Sequence, residues 1–432
     1  AQDAFGPNHF LVNAFVVYCL VDYYAQLKTS QTPSMATDEC GLQRSQEPTL
    51  AWTCPTNESV SCDTELDGKP PEAADNANYF CEYAYLYHQM DMLEDSVRTS
   101  SYMEAIKGNP SCFEGKVVLD VGAGTCVLAI FAAHAGAKLV YAVEATDMAR
   151  RGKRIVEANG LSDKVRVIQG TIETIELPEK VDIIVSEWMG YFLLRESMLD
   201  SVLVARDRWL KADGALFPSS ATLFIAPISG CKVLKQKSDN FENERRHWER
   251  FEHDMGQWYE IEFGCVKDDF IREQRKYYLQ TGVFVNVNSR NRCAVGKPIL
   301  NFILKDVQLD ALQSPSTPNT CTWKITRDGP VEGFCGYFDV DFQGSQETPV
   351  EHERKLTTEP PNNAKDDQTH WGQQAFGFYP PIDCKKGDTI ECSIRILRQS
   401  PNPRLLHIEA EFTHMAQGSI EQRRIKEDYY VD

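Results

Sequence analysis

The chain has no Cys-x-x-Cys spacing, and its fourteen cysteines are scattered. Cys and His never gather at ligand spacing, so a zinc site has no support. Cys81, Cys126, Cys335 and Cys392 lie within or beside apolar stretches. That suits reduced thiols in cytosol or nucleus better than a disulfide frame. Long apolar runs are also missing. Phe10 to Val21 is apolar but too short to cross a bilayer. No Lys or Arg precedes it and no small-residue cleavage site follows, so no membrane partner is expected and the run reads as an element packed on the body. Positive charge is in deficit, with 45 Lys and Arg against 63 Asp and Glu, a net −18. This argues against nucleic acid as the main partner. An acidic surface attracts basic substrates such as Arg-rich tails, and it serves equally to keep a protein soluble. No internal repeat is present. The sequon Asn57-Glu58-Ser59 reads as a chance match, and a start at Ala1 rather than Met suggests a trimmed terminus.

At 432 residues the chain exceeds one core's usual size, so two or three domains are expected. Residues 29 to about 75 are rich in Ser, Thr, Pro, Glu and Asp, which predicts a disordered or loosely attached linker. Residues 1–75 are therefore set apart as an N-terminal extension, partly disordered.

The central stretch is Ser186 to Met198, where Glu187 and Glu196 bracket a short aromatic loop. It follows Val181-Asp182-Ile183-Ile184-Val185, which reads as a buried parallel strand. Acids at the carboxyl end of such a strand stand where open α/β sheets bind ligands. A carboxylate pair can hold a metal, run acid–base chemistry or clamp a flat cation, and guanidinium is the natural flat cation. The bland alternative is a pair of solvated helix-end charges.

From Asn78 the pattern turns helical, and Tyr79 and Tyr83 stack at i, i+4. Such a face is usually core; a lid over a planar ligand is the sharper reading. Lys116 to Val121 is a second buried strand, followed by Gly122-Ala123-Gly124-Thr125-Cys126 and then the helical Val127 to Ala133. Strand, Gly-rich turn and helix form a nucleotide-binding βα unit. The next strand ends at Glu144, an acid about 20 residues on and placed for ribose hydroxyls. A helix from Asp147 to Asn159, a strand Val165 to Gln169 and a turn carrying Glu173 follow. Alternating β and α units predict a doubly wound parallel sheet over residues 76–227. Beyond Ile228 the grammar changes. Asn240 to Trp258 is charged and aromatic at helical spacing, and short alternating strands run from about Tyr278 to the end. That predicts an antiparallel barrel or sandwich over residues 228–432. A helical arm of about 235–270 is expected to join two copies, because its aromatics look exposed. Thr369-His370-Trp371 falls on a loop of this region.

Tyr79-Phe80-x-x-Tyr83, Val118 to Gly124, Glu144, the double-Glu loop and Thr369-His370-Trp371, in this order, resemble the protein arginine N-methyltransferases. The resemblance covers the chain from Tyr79 onward, and the wording of Tyr87-His88-Gln89 is most like the plant branch with a long dimerisation arm. It implies a Rossmann-like class I methyltransferase domain, then a β-barrel with an inserted arm, and S-adenosylmethionine as cofactor. By matched position Arg98 would pair the cofactor's carboxylate, Asp120, Gly122 and Gly124 would lie along its methionine and ribose, and Gln89 would bond its ribose or carboxylate. Glu144 would hold the ribose, Glu173 the adenine, and Tyr79 and Tyr83 would fold over it. Glu187 and Glu196 would grip the target guanidinium, with Met92 and Met198 beside the acceptor. Asp95 and His370 would pair, support the acidic loop and accept the departing proton. Methionine at 92 and 198 with His370 resembles the class that makes monomethyl- and asymmetric dimethylarginine. Implied substrates are histone tails or Gly/Arg-rich proteins, in cytoplasm or nucleus, and the implied assembly is a homodimer.

Cys126 departs from the family's usual third glycine, and a Cβ there costs energy if φ is positive. A catalytically weak scaffold is the second expectation on that ground. A dehydrogenase on the same βα unit is a third, and the double-acid loop does not fit hydride transfer.

Overall fold

Runs in which every residue is buried become interior strands, and Val117–Val121 (β1) is such a run, with all five residues buried. Leu139–Glu144 (β2), Val165–Gln169 (β3), Val181–Val185 (β4) and Leu210–Phe217 (β5) join it in a parallel sheet of order β3-β2-β1-β4-β5. The order reverses between β1 and β4, which opens a crevice at their carboxyl ends. The computed structural model describes residues 72–362, 368–400, 402–418 and 422–432. The expectations for the linker before residue 72, the Phe10 to Val21 run and the sequon lie outside these residues.

Among the described residues three longer helices, Glu72–Tyr83 (α1), Leu86–Glu94 (α2) and Ser96–Lys107 (α3), and the single turn Pro110–Phe113 precede β1. The helical segment thus begins earlier than Asn78. Asp95 caps α3, since its Oδ1 accepts the Arg98 N–H at 2.9 Å. Tyr102 on α3 is buried, and its hydroxyl donates to Ser186 O at 2.9 Å, which fixes the start of the double-acid loop. Val127–His134 (α4), Met148–Ala158 (α5) and Met198–Trp209 (α6) supply the crossovers.

The second domain begins earlier than the expected boundary at 228. Ser220–Ile228 (β6) pairs antiparallel with later strands, Ser220 opposite Asp341 and Ile228 opposite Gly333. The apolar pattern runs from Ala215 through Ile228 with Pro218 as its main interruption, so β5 and β6 read as one region although they serve different sheets. After β6 come Lys232–Tyr259 (α7) and Lys267–Arg275 (α8), which set the arm at 232–275 rather than about 235–270. Trp248 on α7 stacks on Phe270 of α8 at 4.6 Å, and Phe251 meets Phe263 edge-on at 5.0 Å. Those two aromatics knit the arm to itself, whereas Trp258 and Tyr259 at the end of α7 are 70% and 66% exposed.

The remaining strands are Val283–Val285 (β7), Lys297–Ile303 (β8), Asn319–Lys324 (β9), Gly329–Gly344 (β10), Pro349–Thr357 (β11), Gln373–Cys384 (β12), Thr389–Arg398 (β13), Leu406–Met415 (β14) and Gln422–Val431 (β15). They form one sheet of order β7-β12-β10-β6-β8, with β11 on β10, and another of order β15-β14-β13-β9. Asn109 locks the two domains: its Nδ2 donates to His352 O at 3.0 Å, and its Oδ1 accepts the His352 N–H at 2.8 Å.

Candidate active site

At the switch point the glycine turn, the end of β2, the double-acid loop and the N-terminal helices enclose a cavity of about 410 Å³, within the usual range for small-molecule sites. Of the expected site residues, all but Asp120, Asp95 and His370 line it. Gly122 and Gly124 have φ of +72° and +51°. A Cβ on Gly122 would stand 2.2 Å from Met198 Cε, and one on Gly124 2.7 Å from Gln89 Oε1. Bare backbone is required at both points, so the turn is a surface that a ligand can approach closely. Glu144 is held with both oxygens engaged: Gly124 N–H donates to Oε2 at 2.8 Å and Thr146 N–H to Oε1 at 2.7 Å. Each oxygen keeps a lone pair for a ribose hydroxyl. Glu173 is exposed at the rim, and Ser201 Oγ donates to its Oε1 at 2.6 Å. Glycines without room for a Cβ, an oriented acid and a rim acid fit a nucleoside with a charged tail, as S-adenosylmethionine has.

The two acids face the same cavity, each with a partner from the N-terminal helices. Arg98 donates from Nε and Nη2 to Glu187 Oε2, at 3.0 and 2.7 Å, while Met189 N–H donates to Oε1 at 3.1 Å. The Tyr83 hydroxyl donates to Glu196 Oε2 at 2.7 Å. Burial raises the Glu196 pKa, and the Tyr83 hydrogen bond and the Arg195 charge oppose it only in part. Tyr79 reaches Met198 Sδ at 3.9 Å. The lid tyrosines therefore touch the clamp side of the site as well as covering the cavity. Gln89 donates to Tyr83 O at 3.0 Å, so its amide also braces the lid. Met92 is buried in the lining, and its carbonyl accepts Arg98 Nη1 at 3.0 Å.

Asp120 is corrected. It does not run along the cavity but lies fully buried behind the turn, where Oδ2 accepts the Ala129 N–H of α4 at 3.0 Å and Oδ1 has no partner among the described residues. Burial pushes its pKa up to about 7. β1 is buried throughout, and the Asp120 side chain turns toward the first turn of α4 rather than toward the cavity. His370 and Asp95 do pair, Nδ1 to Oδ2 at 2.7 Å, and His370 N–H donates to the same oxygen at 2.8 Å. Burial alone would raise Asp95, but the His370 bond and the backbone N–H groups of Arg98 and His370 outweigh it and hold the carboxyl low. The pair stands outside the cavity lining. Next to it, Trp371 Nε1 donates to Met189 O at 2.8 Å, which ties the acidic loop to the second domain. Cys126 has φ +65° and is buried, with burial raising its thiol. The expected strain is thus present.

Arg404 was not anticipated from the sequence. It lines the cavity from the hairpin loop between β13 and β14, in an Asn402-Pro403-Arg404 stretch that carries no motif to mark it.

Two family models match. Residues 118–214 match a methyltransferase domain, and residues 219–417 an arginine methyltransferase oligomerization subdomain. Protein arginine N-methyltransferase PRMT10 of Arabidopsis thaliana is 40% identical over 359 residues, 83% of this chain and 92% of its own length. Protein arginine N-methyltransferase 1 of Schizosaccharomyces pombe is 38% identical over 363 residues, 83% of this chain and 94% of its own. Among solved structures, the uniquely open conformation of Arabidopsis thaliana protein arginine methyltransferase 10 aligns with TM-score 0.78 at 39% identity, covering 82% of this chain and all of that one. The Trypanosoma brucei PRMT1 enzyme–prozyme heterotetrameric complex with AdoHcy aligns with TM-score 0.66 at 29% identity, over 81% of this chain and all of that one.

Proposed function

Because the chain belongs to the protein arginine N-methyltransferase family, we propose that it makes monomethyl- and asymmetric dimethylarginine on Arg-rich protein segments, as a homodimer. The activity itself is transfer of a methyl group from S-adenosylmethionine to arginine. The observation that carries methyl transfer to a guanidinium is the meeting of Glu187 and Glu196 with the glycine turn and Glu144 in one cavity.

When bound, the cofactor supplies an electrophilic methyl on a sulfonium. Gly122, Gly124, Glu144 and Glu173 would hold it, with Arg98 beside its carboxylate and Tyr79 and Tyr83 as lid. Arginine is not deprotonated in solution, so the protein must make one nitrogen electron-rich without removing a proton first. Two carboxylates on one side of the guanidinium draw its positive charge toward themselves and leave the far nitrogen richer in electrons. Holding that nitrogen in line is the main contribution to rate; as it gains the methyl it sheds one proton, which passes to a clamp carboxylate and from there to solvent. Arg98 and Tyr83 each occupy one oxygen of one acid, and each carboxylate keeps further acceptor capacity for a bidentate guanidinium. Met92 and Met198 are unbranched and adaptable, leaving room for a second methyl on the same nitrogen. His370 with Asp95 acts as a brace for the acidic loop, because the pair lies outside the cavity lining and its neighbour Trp371 grips Met189 O.

Oligomerisation belongs to the matched second domain, and the exposed end of α7 supports a twofold arm contact. Histone tails and Gly/Arg-rich proteins are the substrates that an acidic protein favours, and cytoplasm or nucleus is the compartment that free thiols favour. The test is mass spectrometry of a methylated Gly/Arg-rich peptide, with Glu187→Gln and Glu196→Gln in parallel. Asymmetric dimethylarginine from the wild type alone is expected; a symmetric product, or full activity in both variants, ends this reading. A second reading, a weak dimeric scaffold, draws on the left-handed Cys126. Calorimetry with the cofactor separates them, since absence of binding heat at millimolar ligand favours the scaffold.

A further inference from the structure

Glu196 and Ser197 stand at φ +79° and +60°. Side-chain-bearing residues rarely adopt such angles and keep them only where the surroundings over-determine the backbone. At Glu196 the determinant is largely one residue. Glu196 N–H donates to Arg404 O at 2.8 Å, and Arg404 Nη1 donates to Glu196 O at 2.8 Å. The adjacent Ser197 Oγ donates to Pro403 O at 2.5 Å. The same guanidinium lies over the Tyr79 ring, 4.0 Å from its centroid, and 5.4 Å from that of Phe80. One turn further along α1, Tyr83 holds the Glu196 carboxylate. The lid helix and the acid thus share a fastening supplied by the barrel, beside their own Tyr83 bond.

We propose that Arg404 is a positioning residue that couples the lid to the clamp: its guanidinium face seats Tyr79 over the cavity, while its carbonyl and Nη1 fix the backbone of Glu196. The proposal rests on the reading of Glu196 as a clamp acid. Its consequence is that losing this one side chain weakens both retention of cofactor and grip on the arginine. An arginine is suited to both tasks because its plane stacks on an aromatic face while its edge donates in a fixed fork.

The experiment uses the full chain and measures kcat, KM for S-adenosylmethionine, KM for a Gly/Arg-rich peptide, and Tm. The variants are Arg404→Ala, Arg404→Lys, Tyr79→Leu and the Arg404→Ala/Tyr79→Leu double. Arg404→Ala is expected to lower kcat by about 10- to 100-fold, the scale set by roughly 1 Å of misplacement. It also raises cofactor KM. The double variant's cofactor KM matches that of Arg404→Ala alone, because the two residues act as one unit. Arg404→Lys restores cofactor KM, since a cation still covers the ring, but not kcat, since the fork is gone. Full kcat in Arg404→Ala, a loss that simply tracks a fall in Tm, or independent multiplication of the two single effects would overturn the coupling. Glu196→Gln run alongside separates the two ideas. If it is fully active, the clamp reading fails; if it is inactive while Arg404→Ala works normally, only the coupling fails.

Discussion

Glu196 is a partly buried acid that must be ionised to hold a cation. Burial raises its pKa, so it takes up its proton at higher pH than an ordinary glutamate. Activity therefore fades on the acid side sooner than free carboxylates would dictate. The Tyr83 hydrogen bond lowers the same pKa, so Tyr83→Phe, which keeps the ring, is expected to move the acid limb of kcat/KM to higher pH. A pH–rate profile checks this, and an unmoved limb removes Glu196 as the titrating group. Cys126 makes a second residue-scale case. Its left-handed backbone is strained, yet its Sγ occupies space that Gly152 leaves open. A Cβ on Gly152 would stand 2.6 Å from that sulfur and 2.9 Å from Gly124 O. Gly152→Ala is expected to destabilise the protein by about 1–3 kcal/mol through overpacking. Cys126→Gly in the same chain restores only part, because the Gly124 carbonyl remains. Thermal unfolding of the unaltered chain and these two variants reads this directly. The pairing could not be seen in the sequence, where position 152 is one more residue in a helical segment.

At the scale of elements, what was legible follows burial. The strands β1, β2 and β4 are solid with apolar residues, and their period leaves little choice of structure. β11 and β15 lack a buried pattern of their own, because nearly all their side chains face outward: Pro349–Thr357 has only Leu356 buried, and Gln422–Val431 only Tyr429 and Val431. Their place comes from ladder pairing with β10 and β14, a long-range fact with no local pattern. Most of the candidate site was legible because its residues sit at fixed offsets from the strand ends. Asp120 and Arg404 were misplaced or unmarked, since one depends on which way a buried side chain turns and the other on a distant hairpin. The arm was legible as a helix of charges and aromatics, but not in which aromatics pack internally. Trp248 is used up inside the arm, so the aromatics left exposed for the proposed arm contact include Trp258 and Tyr259. Trp258→Ala is expected to weaken self-association by about 2 kcal/mol, roughly thirtyfold. Light scattering across a micromolar dilution series detects that change, and an unaltered series would move the interface elsewhere.

For the whole molecule, the net charge of −18 acts over distances that salt screens within about 10 Å at 0.1 M. Raising NaCl is expected to increase KM for a basic peptide several-fold while kcat stays flat, because encounter depends on the field and turnover on contacts inside the cavity. Steady-state kinetics at two salt concentrations measures it, and a fall in kcat with constant KM would contradict it.

The double-acid loop springs from the first domain, yet several of its fastenings come from the second. Trp371 holds Met189, Arg398 donates to Leu194 O, and Pro403 and Arg404 hold Ser197 and Glu196. Catalytic competence is therefore not a property that either half could carry into a hybrid. Anyone grafting this barrel onto a relative's nucleotide-binding half would have to transplant residues 369–371 and 398–404 as a set matched to the recipient's own loop, or obtain a chain that folds and stays silent.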